Sequence, residues 1–333
     1  MKYTLILLFS LQWTTQILGQ ARLYTPVSEL VSLDTFKGKP QPLDFSMRKK
    51  VFAIAGLSAY TAASIALYSS WYKQFEQREF HFFNDWGEWK NMDKAGHSYS
   101  AYMQASLIKD LALWAGYEPD KALGIGVMGS VVGQLTIEVM DGFSSGWGFS
   151  LTDLGANIVG TGGYYLQQRH WGEQRFRMKM SYWPVQYDRT EYTNNTWTLE
   201  RRADDLYGAS GIEKFLKDYN GQTIWISTDM ESFFPESRWP DFLDFAIGYS
   251  ARNIYGGFRN EWVDNKQTII FSEDEYPRAR QWVLALDYDW SSIKPKTGFG
   301  KTLFKIMDVF KFPAPGVSYD SQAGWAFHLL YLN

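Results

Sequence analysis

Hydrophobic and polar positions divide the chain into two regimes. Between residues 47 and 172 apolar and small residues dominate long runs at helical spacing, and beyond Trp171 the pattern shifts to alternation. Val51 to Tyr72 is 22 residues without a charge, preceded by Arg48, Lys49 and Lys50. That length spans a bilayer, but its five Ser and Thr and the basic cluster on the exported side stand against a span, so a core or interfacial helix is the first expectation and a span the alternative. Three further helices follow. The first is expected from Met92 to about Ala115, with Asn91 as N-cap and Gly116 as its stop. The second runs from Pro119 to Met140, stopped by Asp141-Gly142, and carries Gly124, Gly126, Gly129 and Gly133 in its interior. Glycine costs roughly 1 kcal/mol against alanine there, so close approach of another helix is expected. The third runs from Ser150 to about Gln168.

Past Trp171, Phe176, Met178, Met180 and Tyr182 alternate with Arg177, Lys179 and Ser181, a strand pattern ended by Pro184. Residues 185–211 read as polar, irregular cover, and Ile212 to Tyr219 as a short helix before the turn signal Asn220-Gly221. Strands are expected at Thr223–Ser227, Leu243–Arg252, Thr268–Ser272, Gln281–Ser291, Gly316–Asp320 and Trp325–Leu332, with an amphipathic helix at Phe299–Lys311. The expected fold class is α+β: a glycine-rich helical core of about four helices, then an antiparallel β-rich region. Seven candidate strands fall short of the eight a bacterial outer-membrane barrel needs, so a curved sheet on the helical core, or a partial barrel, is expected. Asp287 and Asp289, alternating with Leu286 and Tyr288, read as a solvated face, and His170 and His328 as structural or exposed.

The amino terminus changes the picture from fold to location. Lys2, the apolar Leu5 to Leu11 and the small-residue region Ile17-Leu18-Gly19 form a secretory signal over residues 1–20, followed by an arm over 21–46 punctuated by Pro26, Pro40 and Pro42. The helical domain is then expected over 47–172 and the aromatic β-rich region over 173–333. With 333 residues the chain can bury a sizeable core. Its 33 basic against 36 acidic residues, net −3, leave no basic footprint for nucleic acid. Cysteine is absent, which removes disulfides, thiolate metal sites and cysteine catalysis. The 18 % aromatic content suits membrane interfaces and contact surfaces, so membrane lipid or envelope proteins are the expected partners.

Candidate chemistry sits in three motifs: Asp93-Lys-Ala-Gly-His97, Glu138-Val-Met-Asp141-Gly142 and Asp153-Leu-Gly-Ala-Asn157-Ile-Val-Gly160. These motifs, in this order over roughly residues 85–168, resemble the YfiM-like family of bacterial envelope proteins of unknown function, and the first and third more distantly resemble the VanZ-like membrane family. The resemblance implies an exported, membrane-associated helical domain without an established activity. The family's lipid anchor does not carry over to a chain without cysteine. Each polar residue also has a structural explanation. Ser150-x-x-Asp153 approximates a capping box, Asp93 complements a helix amino terminus, and Asp141 precedes a stop. His97 and Glu138 interrupt small-residue surfaces and need partners if buried. Were the motifs to converge, Asp93, Glu138, Asp141, Asp153 and the Asn157 amide would form an oxygen-rich set for a divalent cation such as Mg²⁺ or Ca²⁺. His97, Glu138 and Asp93 could equally serve as acid and base in a membrane-proximal hydrolase or transferase acting on a lipid or lipid-linked substrate. A structural or interaction role in the envelope is the first expectation, the enzyme the alternative.

Overall fold

A computed structural model describes residues 45–73, 75–191, 197–293, 295 and 297–332. The expected signal and nearly all of the arm lie outside the described residues. The chain forms two compact units, one of residues up to 84 with 100–170 and 295–303, the other of 85–99, 171–294 and 304–333.

The first unit is helical. It holds α1 (Ser46–Leu67), α3 (Pro119–Gly142), α4 (Leu151–His170) and all but the first turns of α2 (Met92–Trp114). Ends fall close to the expected signals: Pro119 opens α3, and the Ser150 hydroxyl accepts the Asp153 N–H at 2.9 Å to cap α4. Nothing in α1 is buried, so it is not a core helix among the described residues. The Tyr60 hydroxyl meets Thr136 Oγ1 on α3 at 2.7 Å, and the Tyr72 hydroxyl beyond its end donates to Asp141 Oδ1 at 2.6 Å.

The glycines of α3 have the expected cause. A Cβ on Gly126 would lie 2.5 Å from the Ala105 carbonyl oxygen of α2, one on Gly129 2.7 Å from Ile108 Cδ1, and one on Gly133 2.8 Å from Gln104 Oε1. Backbones therefore approach closely along this seam, and the Ser130 hydroxyl donates across it to the Ala101 carbonyl at 2.8 Å. Gly124 meets nothing within 4 Å.

The polarity of these helices is the reverse of an ordinary soluble bundle. Along α3 the buried stripe is Gly126, Ser130, Gln134, Glu138 and Gly142, while Met128, Val132, Leu135 and Val139 are exposed. On α4 Asp153, Asn157, Thr161 and Tyr164 are buried, and Leu151, Ile158, Val159 and Leu166 are exposed.

The second unit is built on an open, antiparallel six-stranded sheet, order β1-β2-β3-β6-β7-β8, from β1 (Phe176–Tyr182), β2 (Gln222–Thr228), β3 (Leu243–Arg252), β6 (Ala279–Tyr288), β7 (Gly316–Asp320) and β8 (Gly324–His328). A separate hairpin pairs β4 (Glu261–Asp264) with β5 (Gln267–Ile270). Of the shorter elements, α5 (Leu199–Tyr207), capped by Thr198, lies where irregular cover was expected. The last strand ends at His328, and residues 329–332 fall outside it.

The inner face of the sheet combines an apolar cluster of Trp225, Ala246, Val283 and Ala285 with many buried polar groups. Side chains on the inner face include Arg177, Lys179, Ser227, Asp244, Ser250, Gln281, Asp287 and Asp320, all buried. Asp287 and Asp289 thus do not form a solvated face. The Lys179 ammonium lies 2.8 Å from Asp287 and 2.8 Å from Asp308, and the Arg177 guanidinium lies 2.6 Å from Asp289, 3.2 Å from Asp308, and against Asp244. His328 is tied to the Ser318 hydroxyl at 2.7 Å.

Two substitutions in one helix test the seam. Gly124→Ala should stabilise the protein by about 0.5–1 kcal/mol through helix propensity alone, whereas Gly126→Ala should cost about 1–3 kcal/mol through overpacking against α2. Chemical denaturation of both variants in the same detergent reads the difference, and equal shifts of one sign would refute the close approach.

Candidate functional site

The sequence-nominated residues are distributed over both units. In the helical unit, α3 and α4 bring Glu138, Asp153 and Asn157 together. Glu138 is fully buried, and Asp153 and Asn157 nearly so. The Asn157 amide donates to Glu138 Oε1 at 3.2 Å, and a carboxylate oxygen of Asp153 lies within 4.8 Å of one from Glu138. Helical geometry explains the grouping, since Asp153 and Asn157 are one turn apart on α4 and Glu138 closes the polar stripe of α3. Above it the Ser130 and Thr161 hydroxyls meet at 2.9 Å, an extension of the seam that spacing alone did not reveal. Asp141 faces Tyr72.

Two buried carboxylates this close cannot both stay ionised without a positive partner or a shared proton. With the Asn157 amide beside them they form a small oxygen-rich set, of the kind that takes a hard divalent cation or holds a proton.

Asp93 and His97 belong to the first turns of α2, in the second unit. Asp93 accepts from the Lys94 backbone N–H at 2.9 Å and from the Lys94 ammonium at 2.7 Å, and that ammonium also lies 2.5 Å from Asp85. His97 stands one turn further along α2. Glu88 completes a second acidic group, with one oxygen each of Asp85, Glu88 and Asp93 within 4.8 Å of one another. Sequence reasoning missed Lys94, Asp85 and Glu88, because the chain reaches α2 through an unusual turn.

That turn replaces the expected N-cap. Gly87, Trp89, Lys90 and Asn91 all have positive φ, at 89°, 49°, 55° and 66°. Asn91 spends its side-chain oxygen on the Gly87 N–H, at 2.6 Å, rather than on the helix. The Trp89 N–H donates to the Gly257 carbonyl at 2.8 Å, and the Tyr249 hydroxyl donates to the Lys90 carbonyl. The geometry presses Glu88 against Gly257, whose carbonyl also receives Arg278.

Burial, then the charges of Asp93 and Asp85, push the Glu88 carboxyl up to about 7, against the opposing pull of Lys94 and Arg278. Burial likewise raises Asp93, opposed by Lys94. An acid raised on folding binds more protons folded than unfolded between the two values, so its contribution is complete at acid pH and lost as pH rises through about 7. Glu88→Gln should therefore gain stability relative to the parent between pH 5 and 8, roughly the window between the unfolded and folded values, and thermal melts across that range read it. Parallel curves for the two proteins would refute the assignment.

Residues 81–169 match the family described as predicted periplasmic lipoprotein (DUF2279). The matched segment contains all three motifs, and the match supports export to the cell envelope. No curated protein and no solved structure matches the chain significantly.

Proposed function

We propose that this is a membrane-associated protein of the cell envelope with a structural or interaction role, in keeping with its likeness to YfiM-like proteins. The observation that carries the reading is the polarity of α3 and α4, which bury their polar stripes and expose their apolar ones. Such helices are unstable against water but suited to lipid, where polar side chains are satisfied by facing one another. Length and composition agree, since α1 and α3 are each long and apolar enough to cross a bilayer. In this role the Glu138–Asn157 and Ser130–Thr161 bonds act as interhelical ties. Cell fractionation tests it. The full chain should sediment with membranes, resist alkaline and high-salt washes and need detergent for release. Recovery in the soluble periplasmic fraction would overturn the proposal.

One observation favours a second reading, the proximity of the buried Glu138 and Asp153 carboxylates. A hydrolase or transferase working on a lipid-linked substrate would use such a pair with a divalent cation. On that reading the detergent-solubilised chain binds Mg²⁺, Ca²⁺ or Mn²⁺ in calorimetric titration, and Glu138→Gln and Asp153→Asn each abolish the heat. Absence of binding by the parent chain removes the metal-dependent version.

A further inference from the structure

The open sheet carries its own signature of lipid contact, separate from that of the helices. Its outward side chains fall into rows set by strand register. One row runs Tyr249, Trp282, Tyr319, Trp325 across β3, β6, β7 and β8, each directly opposite the next. Their rings form a chain, with centroids 5.8, 6.2 and 5.1 Å apart in turn. Two residues along each strand, the adjacent row reads Ile247, Leu284, Val317, Phe327, again in register. Exposure in this second row is 62 % at Ile247, 53 % at Leu284 and 73 % at Phe327. Where the β1–β2 end of this face is covered, Met92 fills the place, packed with Ile224 and flanked by Met178, Met180 and Tyr249. Among the described residues, nothing of that kind covers Leu284 or Phe327.

Three features select lipid as the occupant. First, the opposite face already holds the charged network of Arg177 and Lys179, so this face cannot trade places with it without stranding buried ions. Second, the rows are banded along the strand direction, Trp and Tyr at one level and aliphatic residues with Phe at the next. Amphipathic rings sit at the headgroup level and aliphatic chains in hydrocarbon, so a bilayer accounts for the banding. Third, the charge pattern is complementary to a phospholipid surface. On β6 the outward positions from Trp282 to Leu286 are uncharged, and Arg280 lies one outward step beyond the aromatic row, where phosphates would be.

Depth decides between spanning and resting in one leaflet. From Trp282 to Leu286 is four residue steps, about 13 Å of strand, against a hydrocarbon core of about 30 Å. The sheet is also open, and unpaired strand edges are excluded from a bilayer interior. We infer that the β3-β6-β7-β8 face is a monotopic membrane-contact surface that enters one leaflet, with Trp282, Tyr319 and Trp325 at the headgroup level. The inference rests on the membrane-associated reading above and adds a second, β-built contact to it.

The absence of cysteine from the chain makes the test direct. Single variants Leu284→Cys, Val317→Cys and Phe327→Cys of the full chain are labelled with an environment-sensitive fluorophore. Each is reconstituted with phosphatidylcholine–phosphatidylglycerol vesicles, with and without brominated acyl chains. Asp274→Cys, on an exposed polar loop, serves as the solvent control, and Ile54→Cys on α1 reports membrane association by the helices. The expected result is a blue shift and quenching by brominated lipid at all three sheet positions and at residue 54, with residue 274 unchanged. Quenching at 54 with silent sheet positions overturns the sheet inference and leaves the membrane-associated reading standing, while silence at both overturns both. A blue shift at the sheet positions that needs no vesicles and grows with protein concentration assigns the face to a second copy of the chain, which also overturns the inference.

Discussion

Burying Arg177 and Lys179 is the constraint on which the sheet depends. A guanidinium and an ammonium removed from water cost several kcal/mol each unless paired and hydrogen-bonded, and here Asp244, Asp287, Asp289 and Asp308 supply the pairing. These partners come from β3, β6, the turn after β6 and the segment after the helix Gly298–Met307, so a satisfied network requires all of them in place at once. Such a network contributes less to net stability than to register. Strands alternate with period two, so a slip of one residue would expel Arg177 and Lys179 to the apolar side and bring Phe176 and Met178 inward. With the ions inside, the apolar residues that alternate directly with them, such as Phe176, Met178 and Leu286, are left to the outer face.

The helical unit obeys the same logic with hydroxyl, amide and carboxyl groups and with glycine. Ser130, Gln134 and Glu138 lie along the buried side of α3, with Thr161 and Asn157 on α4 receiving them. Gly126, Gly129 and Gly133 face α2 and lower its separation from α3, and across that seam the Ser130 hydroxyl reaches the Ala101 carbonyl. Propensity lost at glycine, roughly 1 kcal/mol per residue, is offset by close van der Waals contact with α2 and by the Ser130–Ala101 bond. Two units of different architecture therefore share one feature: each buries polar groups while leaving large apolar side chains exposed.

This feature also explains what could be read from the chain and what could not. Ends of α2, α3 and α4 were legible because Gly116, Pro119, Asp141-Gly142 and Ser150 are local signals that act within a turn. Strand positions were legible because alternation is local as well. Which face of an alternating strand points inward is not local. Asp287 and Asp289 looked solvated because apolar residues normally claim the interior, and only the distant Arg177 and Lys179 reverse the assignment. At α2 the expected cap failed for a similar reason: Asn91 takes a left-handed conformation that Gly257, Tyr249 and Asn91's own bond to Gly87 hold in place. Left-handed backbone costs about 1–2 kcal/mol per non-glycine residue, and here it is offset by bonds to Gly257 and Tyr249, residues far along the chain that no local signal announces. The helix α5 was missed because its buried stripe includes Arg202, whose guanidinium lies over the Trp262 ring, so its apolar periodicity is broken by a residue buried for its partner.

The candidate site inherits an electrostatic requirement from this architecture. Glu138 and Asp153 lie in a seam whose outer surface is apolar, so water cannot screen their repulsion as it would at an exposed pair. A proton shared between them, a positive side chain or a bound cation each satisfies the requirement, and each also ties α3 to α4. A structural lock and an ion site are for this reason not competing descriptions of Glu138. A cation held there would close the seam, and a seam closed by a cation would carry the chemistry of that cation. What separates the two is access: a lock works sealed, whereas a hydrolase needs a path by which substrate and water reach the carboxylates. In a bilayer that path would have to open between helices, because the exposed sides of α3 and α4 would then face hydrocarbon.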